Sequence, residues 1–386
     1  MCAPDVVVVG AGVVGSAIAA ACARAGRTVR VVDPDPGGGA TSAAAGMLSP
    51  FGELAHTEPV LHDLGLAAAR MYPDFVAGAP GGAAACAYER EPTLVVGADA
   101  ADARMLDELA ELAGDVRSGG AVGRRDGADA TGVRRLGTRE ARLREPLLAP
   151  GIARTLVAAG DHRVDPRLLA DALRTDIAVE RVRAVRVARD CRGRAAGVEV
   201  DGGRVIRARE TVVATGIGPV EGVDLGGVVR PVHGDILRLG APEGLRLQHT
   251  IRGRVRGRPV YLVPRPDGTL VVGATQREDG DDEVSAGGVH ALLRDAIALV
   301  PAVEEHRLIG VAARARPATP DHLPLVGRWE EGLHVATGTH RAGVLLAPLI
   351  AAIISALLGG EKPPVDIAPL DPRRFDAARA LEGAHA

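Results

Sequence analysis

The chain has 386 residues, 47% of them hydrophobic and 25% charged, which is enough for two domains with large cores and excludes a mainly disordered or fibrous protein. Its 46 basic and 49 acidic side chains leave a net charge of -3, and aromatic residues make up only 2%. These values argue against a nucleic-acid or membrane partner and favour small molecules. Four cysteines without a CxxC pair predict neither a metal site nor a disulfide framework, so a cytoplasmic protein is expected.

The amino-terminal segment has the pattern of a βαβ unit. A run of four valines predicts a buried parallel strand, and Gly10, Gly12 and Gly15 open the alanine-rich helix predicted after it. Asp33 ends the next predicted strand, near the spacing of roughly 20 residues typical of dinucleotide-binding folds. Gly10 permits the turn, Gly12 lets the backbone approach a pyrophosphate, and Gly15 lets helix and strand pack closely. We therefore expect a bound dinucleotide, with a purely structural glycine turn as the alternative.

Further elements follow in a mixed order. The Gly/Ala/Ser-rich segment 34–50 predicts a functional loop, and Asp165 followed by proline predicts the start of a helix. Alternating valines within 182–205 predict a small antiparallel meander, and 211–216 reads as a buried strand. Strand-like runs on both sides of the turn at 266–268 predict a hairpin.

An apolar run over 342–358 is close to the length of a membrane span. Pro348 lies inside the run and Arg341 directly precedes it. A buried core helix explains the same pattern, so we expect a core helix and keep a membrane span as the alternative.

The element order predicts an α/β fold: a discontinuous Rossmann-like domain that carries an inserted antiparallel β-sheet substrate domain. The expected boundaries are 1–78, 151–222 and 311–372 for the Rossmann-like domain, 79–150 and 223–310 for the substrate domain, and 373–386 for a carboxyl-terminal tail.

Several separated segments resemble one family and are together more specific than the glycine motif. The chain resembles the FAD-dependent D-amino-acid oxidase superfamily, and within it most closely the glycine oxidases of the thiamine-pathway type. The resemblance covers almost the whole chain and rests on 6–33, 37–48, 213–216, 261–265, 272–275, 316–321 and 337–348. It implies that the Rossmann-like domain binds FAD and that the protein is a homo-oligomer. An NAD(P)-dependent dehydrogenase is a further alternative.

The resemblance also implies which residues contact FAD. Asp33 takes the ribose, and Val182 contacts the adenine side through its backbone, with Val185 as the alternative register. A helix beginning near Gly343 points its positive end at the flavin. The full expected set is Gly10, Gly12, Val14, Gly15, Asp33, Thr41, Ser42, Ala45, Gly46, Met47, Val182, Gly216, Gly338, Arg341, Gly343, Val344 and Leu345.

Three residues are expected to act on the substrate. The resemblance implies that Arg316 binds the substrate carboxylate, with a hydrogen bond from Tyr261 to the same group, and a guanidinium at a strand end suits a bidentate grip. A surface salt bridge for Arg316 and core packing for Tyr261 are the alternatives. Arg341 matches a second family arginine at the rim of the site, where it orients flavin or substrate or has a structural role. The expected pocket also contains Met47, Gln276 and Arg314.

Arg314 and Gln276 depart from the glycine oxidase pattern, which has glycine at the first position and an apolar residue at the second. Residues two apart in a strand share a face. We therefore hypothesise that Arg314 joins Arg316 in holding a second anionic group, which predicts an N-substituted or acidic amine as substrate. The alternative is that Arg314 points outward and pairs with an acid.

The expected activity is oxidation of the CH–NH bond of glycine or an N-substituted glycine by hydride transfer to FAD. The products are glyoxylate or another oxo acid, and O2 accepts the electrons to give H2O2. Two alternatives stay open: an amino-acid dehydrogenase that passes electrons to a quinone or carrier, and a flavin-binding protein without turnover.

Overall fold

The structure is a computed structural model that describes residues 3–54, 58–118, 132–225 and 227–376. Its strands are β1 (Val6–Val9), β2 (Val29–Val32), β3 (Met47–Leu48), β4 (Thr93–Gly97), β5 (Val133–Leu136), β6 (Arg154–Ala158), β7 (His162–Arg163), β8 (Ala178–Glu180), β9 (Ala184–Arg189), β10 (Ala195–Val200), β11 (Val205–Arg207), β12 (Glu210–Val213), β13 (Arg230–Gly240), β14 (Ile251–Val255), β15 (Arg258–Pro264), β16 (Thr269–Gly273), β17 (Arg307–Ala318), β18 (Leu325–Glu330) and β19 (Leu333–Thr337). Its helices are α1 (Val13–Arg24), α2 (Ala40–Ala43), α3 (Pro59–Ala77), α4 (Gly82–Ala85), α5 (Ala100–Ser118), α6 (Thr138–Arg144), α7 (Pro166–Arg174), α8 (Ala286–Leu299) and α9 (Gly343–Gly359).

The predicted Rossmann-like domain is confirmed. In the described part of the chain, a six-stranded sheet has the order β18-β19-β12-β1-β2-β8, with parallel pairing from β19 to β8 and an antiparallel edge strand, β18. Val6 and Val8 of β1 face the core under α1 and α9, whereas Val7 and Val9 face the core beneath the β9-β10-β11 sheet. The valine run is therefore a strand buried on both faces, as its continuous hydrophobicity predicted.

The inserted sheet is also confirmed. Eight described strands pair in the order β17-β13-β16-β15-β14-β4-β6-β5, all antiparallel except the β4–β14 pair. Helix α8 covers one face through Leu292, Ala296 and Leu299, which share a core with Leu237 and Leu262. Because these strands alternate along the chain with those of the first sheet, the Rossmann-like domain is discontinuous.

The exact domain boundaries remain a proposal. β6 and β17 both belong to the eight-stranded sheet, although the expected boundaries place 154–158 and 311–318 in the Rossmann-like domain. Because β6 and β17 belong to that sheet, we favour placing the two boundaries after Ala158 and after Ala318. Of the expected tail 373–386, only residues to 376 lie within the described part of the chain.

Most local predictions agree with the structure. The Asp165 side chain accepts hydrogen bonds from the backbone N–H groups of Arg167 and Leu168 and so caps α7. The meander is the β9-β10-β11 sheet, and the hairpin is β15-β16. The segment 34–50 differs from a simple loop because it contains the short helix α2 and strand β3.

The apolar run 342–358 forms α9, a helix with most of its side chains buried against α1 and α3. The prediction of a core helix is therefore confirmed. Among the described residues, no helix combines the length and the apolar character needed to cross a membrane.

Candidate active site

A cavity of about 1010 Å³ lies where the carboxyl ends of β1, β2 and β12 meet the eight-stranded sheet. Its walls contain Gly10 and Gly12 after β1, Asp33 after β2, Gly216 after β12, and residues of β13, β15 and β17. Ligands of open α/β sheets bind outside the carboxyl ends of the strands, and small-molecule sites have volumes of roughly 300–1,000 Å³. The cavity therefore has room for a large cofactor and a small substrate beside it.

Backbone packing at the start of α1 explains why glycines stand there. Gly10 has a φ of +104°, and a Cβ atom on it would lie 2.4 Å from the carbonyl oxygen of Ala214. A Cβ atom on Gly15 would lie 1.9 Å from the carbonyl oxygen of Gly10, so only glycine lets α1 pack this closely on β1. Gly12, the N-cap, places no side chain over the end of the helix. The positive end of α1 is thus open to the cavity.

Two polar residues expected to contact the cofactor also form hydrogen bonds with the backbone of the turn between β1 and α1. The Asp33 carboxylate accepts hydrogen bonds from the backbone N–H groups of Ala11 at 2.6 Å and Asp35 at 2.8 Å. The Thr41 hydroxyl accepts one from the N–H of Val13 at 2.9 Å. Both side chains line the cavity as well, so they hold the turn and face the space beside it.

Most of the residues expected to contact FAD reach the cavity. Those that line it are Gly10, Gly12, Val14, Asp33, Thr41, Ala45, Gly46, Met47, Gly216, Arg341, Gly343 and Val344. The remaining ones are Gly15, Ser42, Val182, Gly338 and Leu345.

These remaining residues do not line the cavity. The Ser42 hydroxyl donates to the carbonyl oxygen of Gly38 at 3.0 Å, which tightens the loop after β2. Val182 and Leu345 pack in apolar cores, and Gly338 forms a turn with a φ of +71°. Direct contact of these residues with FAD stays a prediction.

Arg316 of β17 and Tyr261 of β15 line the part of the cavity beside the larger sheet. The Arg316 Nη1 donates to the carbonyl oxygen of Thr275 at 3.3 Å, and no carboxylate within the described ranges pairs with Arg316. Burial raises the pKa of Tyr261, and the nearby Arg316 and Arg252 oppose that rise only in part, so the phenol is protonated at neutral pH. A guanidinium and a phenolic donor together suit a carboxylate.

Two glycines make room for these side chains. A Cβ atom on Gly234 of β13 would lie 2.4 Å from the guanidinium nitrogens of Arg316. A Cβ atom on Gly273, the cross-strand partner of Tyr261, would lie 2.4 Å from the phenolic oxygen. Real Cβ contacts are longer, so a side chain at either glycine would displace the Arg316 guanidinium or the Tyr261 hydroxyl from its present place.

Arg341 is part of a network of charges at the rim. Its Nη2 donates to Glu58 at 2.6 Å, and its Nε donates to Glu53. Glu53 also accepts a hydrogen bond from Nη1 of Arg252 at 2.9 Å, and Nη2 of Arg252 donates to the carbonyl oxygen of Gly52 at 2.6 Å. Burial alone would raise the pKa of Glu53, but the two guanidinium groups outweigh it and hold the pKa below its usual range. Glu53 is therefore ionised.

Two histidines lie beside this network. The rings of His322 and His340 are 4.8 Å apart, and Nδ1 of His322 lies 2.5 Å from Glu58. Burial, reinforced by the charges of Arg341 and His322, lowers the pKa of His340 to about 3. His340, which lines the cavity, is therefore neutral at neutral pH.

A buried acid holds the loop that carries Glu53. Asp161 is 2% exposed, accepts a hydrogen bond from the Ser49 hydroxyl, and accepts one from the N–H of Phe51 at 3.3 Å. Burial raises the pKa of Asp161 to about 6, even though these hydrogen bonds favour the charged form.

The other three expected pocket residues all line the cavity. Met47 packs beside Tyr261, and Gln276 is exposed. Arg314 shares a face with Arg316, as expected for β17, but its Nε donates to the carbonyl oxygen of Gly38 at 3.1 Å. Arg314 therefore contacts the loop after β2, and its hypothesised contact with a substrate anion stays a hypothesis.

Sequence reasoning missed Glu53, Arg252 and His340 as parts of the site. Arg252 belongs to an alternating run of arginines along β14 and β15, a pattern that normally indicates a solvated strand face. Only its pairing opposite Tyr261 brings it to the cavity. No local signal distinguishes Glu53 from other acids, because its partners lie far away in the chain.

The chain is similar in sequence to known FAD-dependent oxidoreductases. The chain matches the model of the DAO family, described as FAD dependent oxidoreductase, over residues 5–357. It is 32% identical over 380 residues to glycine oxidase of Geobacillus kaustophilus (strain HTA426), with 95% of each chain covered. The chain spans only 26% and 54% of the length of two bifunctional ThiO/ThiG relatives that it also matches.

Solved structures agree in fold. A crystal structure of glycine oxidase from Geobacillus kaustophilus has a TM-score of 0.82 at 29% identity and covers 96% of this chain and 98% of that one. A crystal structure of iminodiacetate oxidase from Chelativorans sp. BNC1 has a TM-score of 0.81 at 27% identity and covers 95% of this chain and 98% of that one.

Proposed function

This chain belongs to the DAO family of FAD-dependent oxidoreductases, and on that premise we propose that it oxidises the CH–NH bond of glycine or an N-substituted glycine. The observation that carries the proposal is Arg316, a guanidinium without a carboxylate partner among the described residues that faces the cavity beside Tyr261. An oxo acid and ammonia or an amine are the proposed products. O2 as electron acceptor, with formation of H2O2, and assembly into a homo-oligomer are part of the same proposal.

FAD is the cofactor, and the cavity fits it. The open positive end of α1 suits a diphosphate, and a side chain on Gly10 or Gly15 would collide with the backbone there. Asp33 and Thr41 would hold the nucleotide end, and Gly343 and Val344 at the start of α9 would lie beside the ring end. When bound, FAD supplies a ring system that accepts a hydride.

The chain's own contribution is to position the substrate. Arg316 would bind the carboxylate through two parallel hydrogen bonds, and the protonated Tyr261 would donate a third. With one end fixed, the carbon next to the nitrogen is confined to the space beside the cofactor end of the cavity. Glu53 is ionised but bound by two arginines, so it is not a free base. The proposal therefore assigns no side chain as a general base, and the amine binds in its neutral form.

The relatives support a substrate of this kind. Glycine and iminodiacetate, named for the two related oxidases, both carry a carboxylate one carbon from the nitrogen. That is the arrangement that a single carboxylate anchor would present to the cofactor. The identity of the amine in this chain is part of the proposal.

Anaerobic titration of the purified holoprotein tests the proposal. We expect glycine, sarcosine or another N-substituted glycine to bleach the flavin absorbance at about 450 nm, and readmitted O2 to restore it with formation of H2O2. Bleaching with slow recovery in O2 would point to a dehydrogenase instead. Failure of every amino acid and N-substituted glycine to bleach the flavin would contradict the proposal.

A further inference from the structure

We propose that Glu53 makes the substrate chamber selective for amines with one carboxylate and excludes a second negative charge on the nitrogen substituent. The chamber is the part of the cavity lined by Glu53, Arg252, Tyr261, Arg316 and Arg341. This inference rests on the proposed function and specifies its substrate class as glycine or an N-substituted glycine with an uncharged substituent.

All but one of the guanidinium groups of the chamber are paired with a carboxylate, counting Glu58 just outside the chamber. Glu53 is bound by Arg252 and Arg341, and Arg341 is also bound by Glu58. Two guanidinium groups therefore face two carboxylates. Among the chamber residues that the structure describes, Arg316 is left as the guanidinium without a carboxylate partner. One such cation matches one substrate carboxylate.

Glu53 and Arg316 border the same space. Besides burial, which is the largest influence, Arg316 lowers and Glu53 raises the pKa of Tyr261. The same two charges act with the same signs on the pKa of His340. A substrate held by Arg316 and Tyr261 would therefore have the Glu53 carboxylate nearby.

Among the described chamber residues, the guanidinium groups other than Arg316 are already paired with carboxylates, so a second substrate carboxylate would have to compete for them. Both terminal nitrogens of Arg252 are already engaged, one by Glu53 at 2.9 Å and one by the carbonyl oxygen of Gly52 at 2.6 Å. Arg314 is exposed and contacts the Gly38 and Ala313 carbonyl oxygens, on the loop after β2 and on its own strand. A dianionic substrate would instead meet the like charge of Glu53, which opposes its binding.

Binding of non-oxidisable analogues tests the inference without turnover. The two probes are diglycolate, which has two carboxylates, and its monoamide, which has the same shape and one carboxylate. Their Kd values for the FAD-loaded protein are measured from the change in the flavin spectrum. We expect the monoamide to bind roughly tenfold or more tightly than diglycolate, because charges near a protein surface interact with an effective dielectric constant of about 20.

Three variants locate the effect. Glu53→Gln should reduce the preference for the monoamide at least about tenfold, because it removes the opposing charge and releases Arg252. Glu58→Gln is the matched control, because it also removes a carboxylate that pairs with Arg341, but Glu58 does not line the cavity. The preference for the monoamide should therefore change less than about threefold. Arg252→Gln removes one of the two guanidinium groups that pair with Glu53, so the preference for the monoamide should increase. This variant provides a test even if Glu53→Gln fails to retain FAD.

Equal binding of the two probes by the wild-type protein would overturn the inference, and so would equal effects of Glu53→Gln and Glu58→Gln. An Arg252→Gln variant with an unchanged or smaller preference would also contradict it. If the proposed function were wrong, no amine would bleach the flavin, whereas the ratio of the two Kd values would still report on Glu53. The two failures are therefore distinguishable.

Discussion

The two ends of the cavity are built by different means. The end beside α1 consists mainly of backbone from one short stretch: Gly10 and Gly12 line it, and Gly15 lets α1 pack closely on β1. The end beside the larger sheet consists of charged and polar side chains, such as Arg316 and Glu53, from strands and loops far apart in the chain. A change at the first end should act on FAD retention, whereas a change at the second should act on the substrate.

The largest expected effect separates the two ends. Arg316→Gln should lower kcat/KM for the best amine roughly a thousandfold, about 4 kcal/mol, because a charged hydrogen-bonding partner of the carboxylate is lost. Arg316→Lys should retain part of the activity, since it keeps the charge but not the two-pronged geometry. FAD content should stay at the wild-type level in both variants. Loss of FAD together with activity would show that the two ends are not separate.

Gly15→Ala changes the end of the cavity beside α1, where FAD retention should be affected. Its Cβ atom would collide with the Gly10 carbonyl oxygen, so we expect a loss of stability of roughly 3 kcal/mol and reduced FAD content. Gly287→Ala is the control, because nothing lies within 4 Å of a Cβ atom added at that position of α8. Thermal melting and the ratio of flavin to protein absorbance measure both effects. A Gly15→Ala protein with wild-type stability and FAD content would contradict the close packing.

The free energy of unfolding should depend on pH because of Asp161, which holds the loop that carries Glu53. The pKa of Asp161 is raised to about 6 in the folded protein from 3.8, so folding favours its protonated form. The stability gained from this group is present at low pH and is lost as pH rises through about 6. Relative to Asp161→Asn, the wild type should lose roughly 2–3 kcal/mol between about pH 4 and pH 7 and change no further above that. Denaturant unfolding at several pH values measures the difference, and a constant difference would refute it.

The smallest effect concerns the phenol. Tyr261→Phe removes one hydrogen bond to the substrate carboxylate, so kcat/KM should fall about tenfold. Gly273→Ala should give a similar loss, because the new methyl group would displace the Tyr261 hydroxyl. Combining the two changes should add little to either, since both act on the same contact. Additive losses would show that Gly273 acts through another group.

The sequence predicted the fold and the backbone-built end well, and the physical reason is locality. The valine run, the glycines and Asp33 lie within one βαβ unit, where short-range rules determine the geometry. The roles of Arg316 and Tyr261 are indicated only by the family resemblance, since β15 and β17 are separated by β13 and β16 and share one sheet only when the whole sheet forms.

The charge network could not be predicted in the same way. Glu53 meets Arg252 and Arg341 across about two hundred residues or more of chain, and an isolated acid in a loop gives no sign of such partners. The same holds for Arg314: its place in the strand was predicted, but its contact with the Gly38 carbonyl depends on how the loop after β2 folds back.

The most direct test of the central claim is a crystal structure of the FAD-loaded protein with methoxyacetate, the oxygen analogue of sarcosine. We predict that its carboxylate lies on the Arg316 guanidinium within hydrogen-bond distance of the Tyr261 hydroxyl, with its methylene group towards the cofactor end of the cavity. A carboxylate bound instead by Arg252 or Arg341, with Arg316 making no contact, would contradict the account.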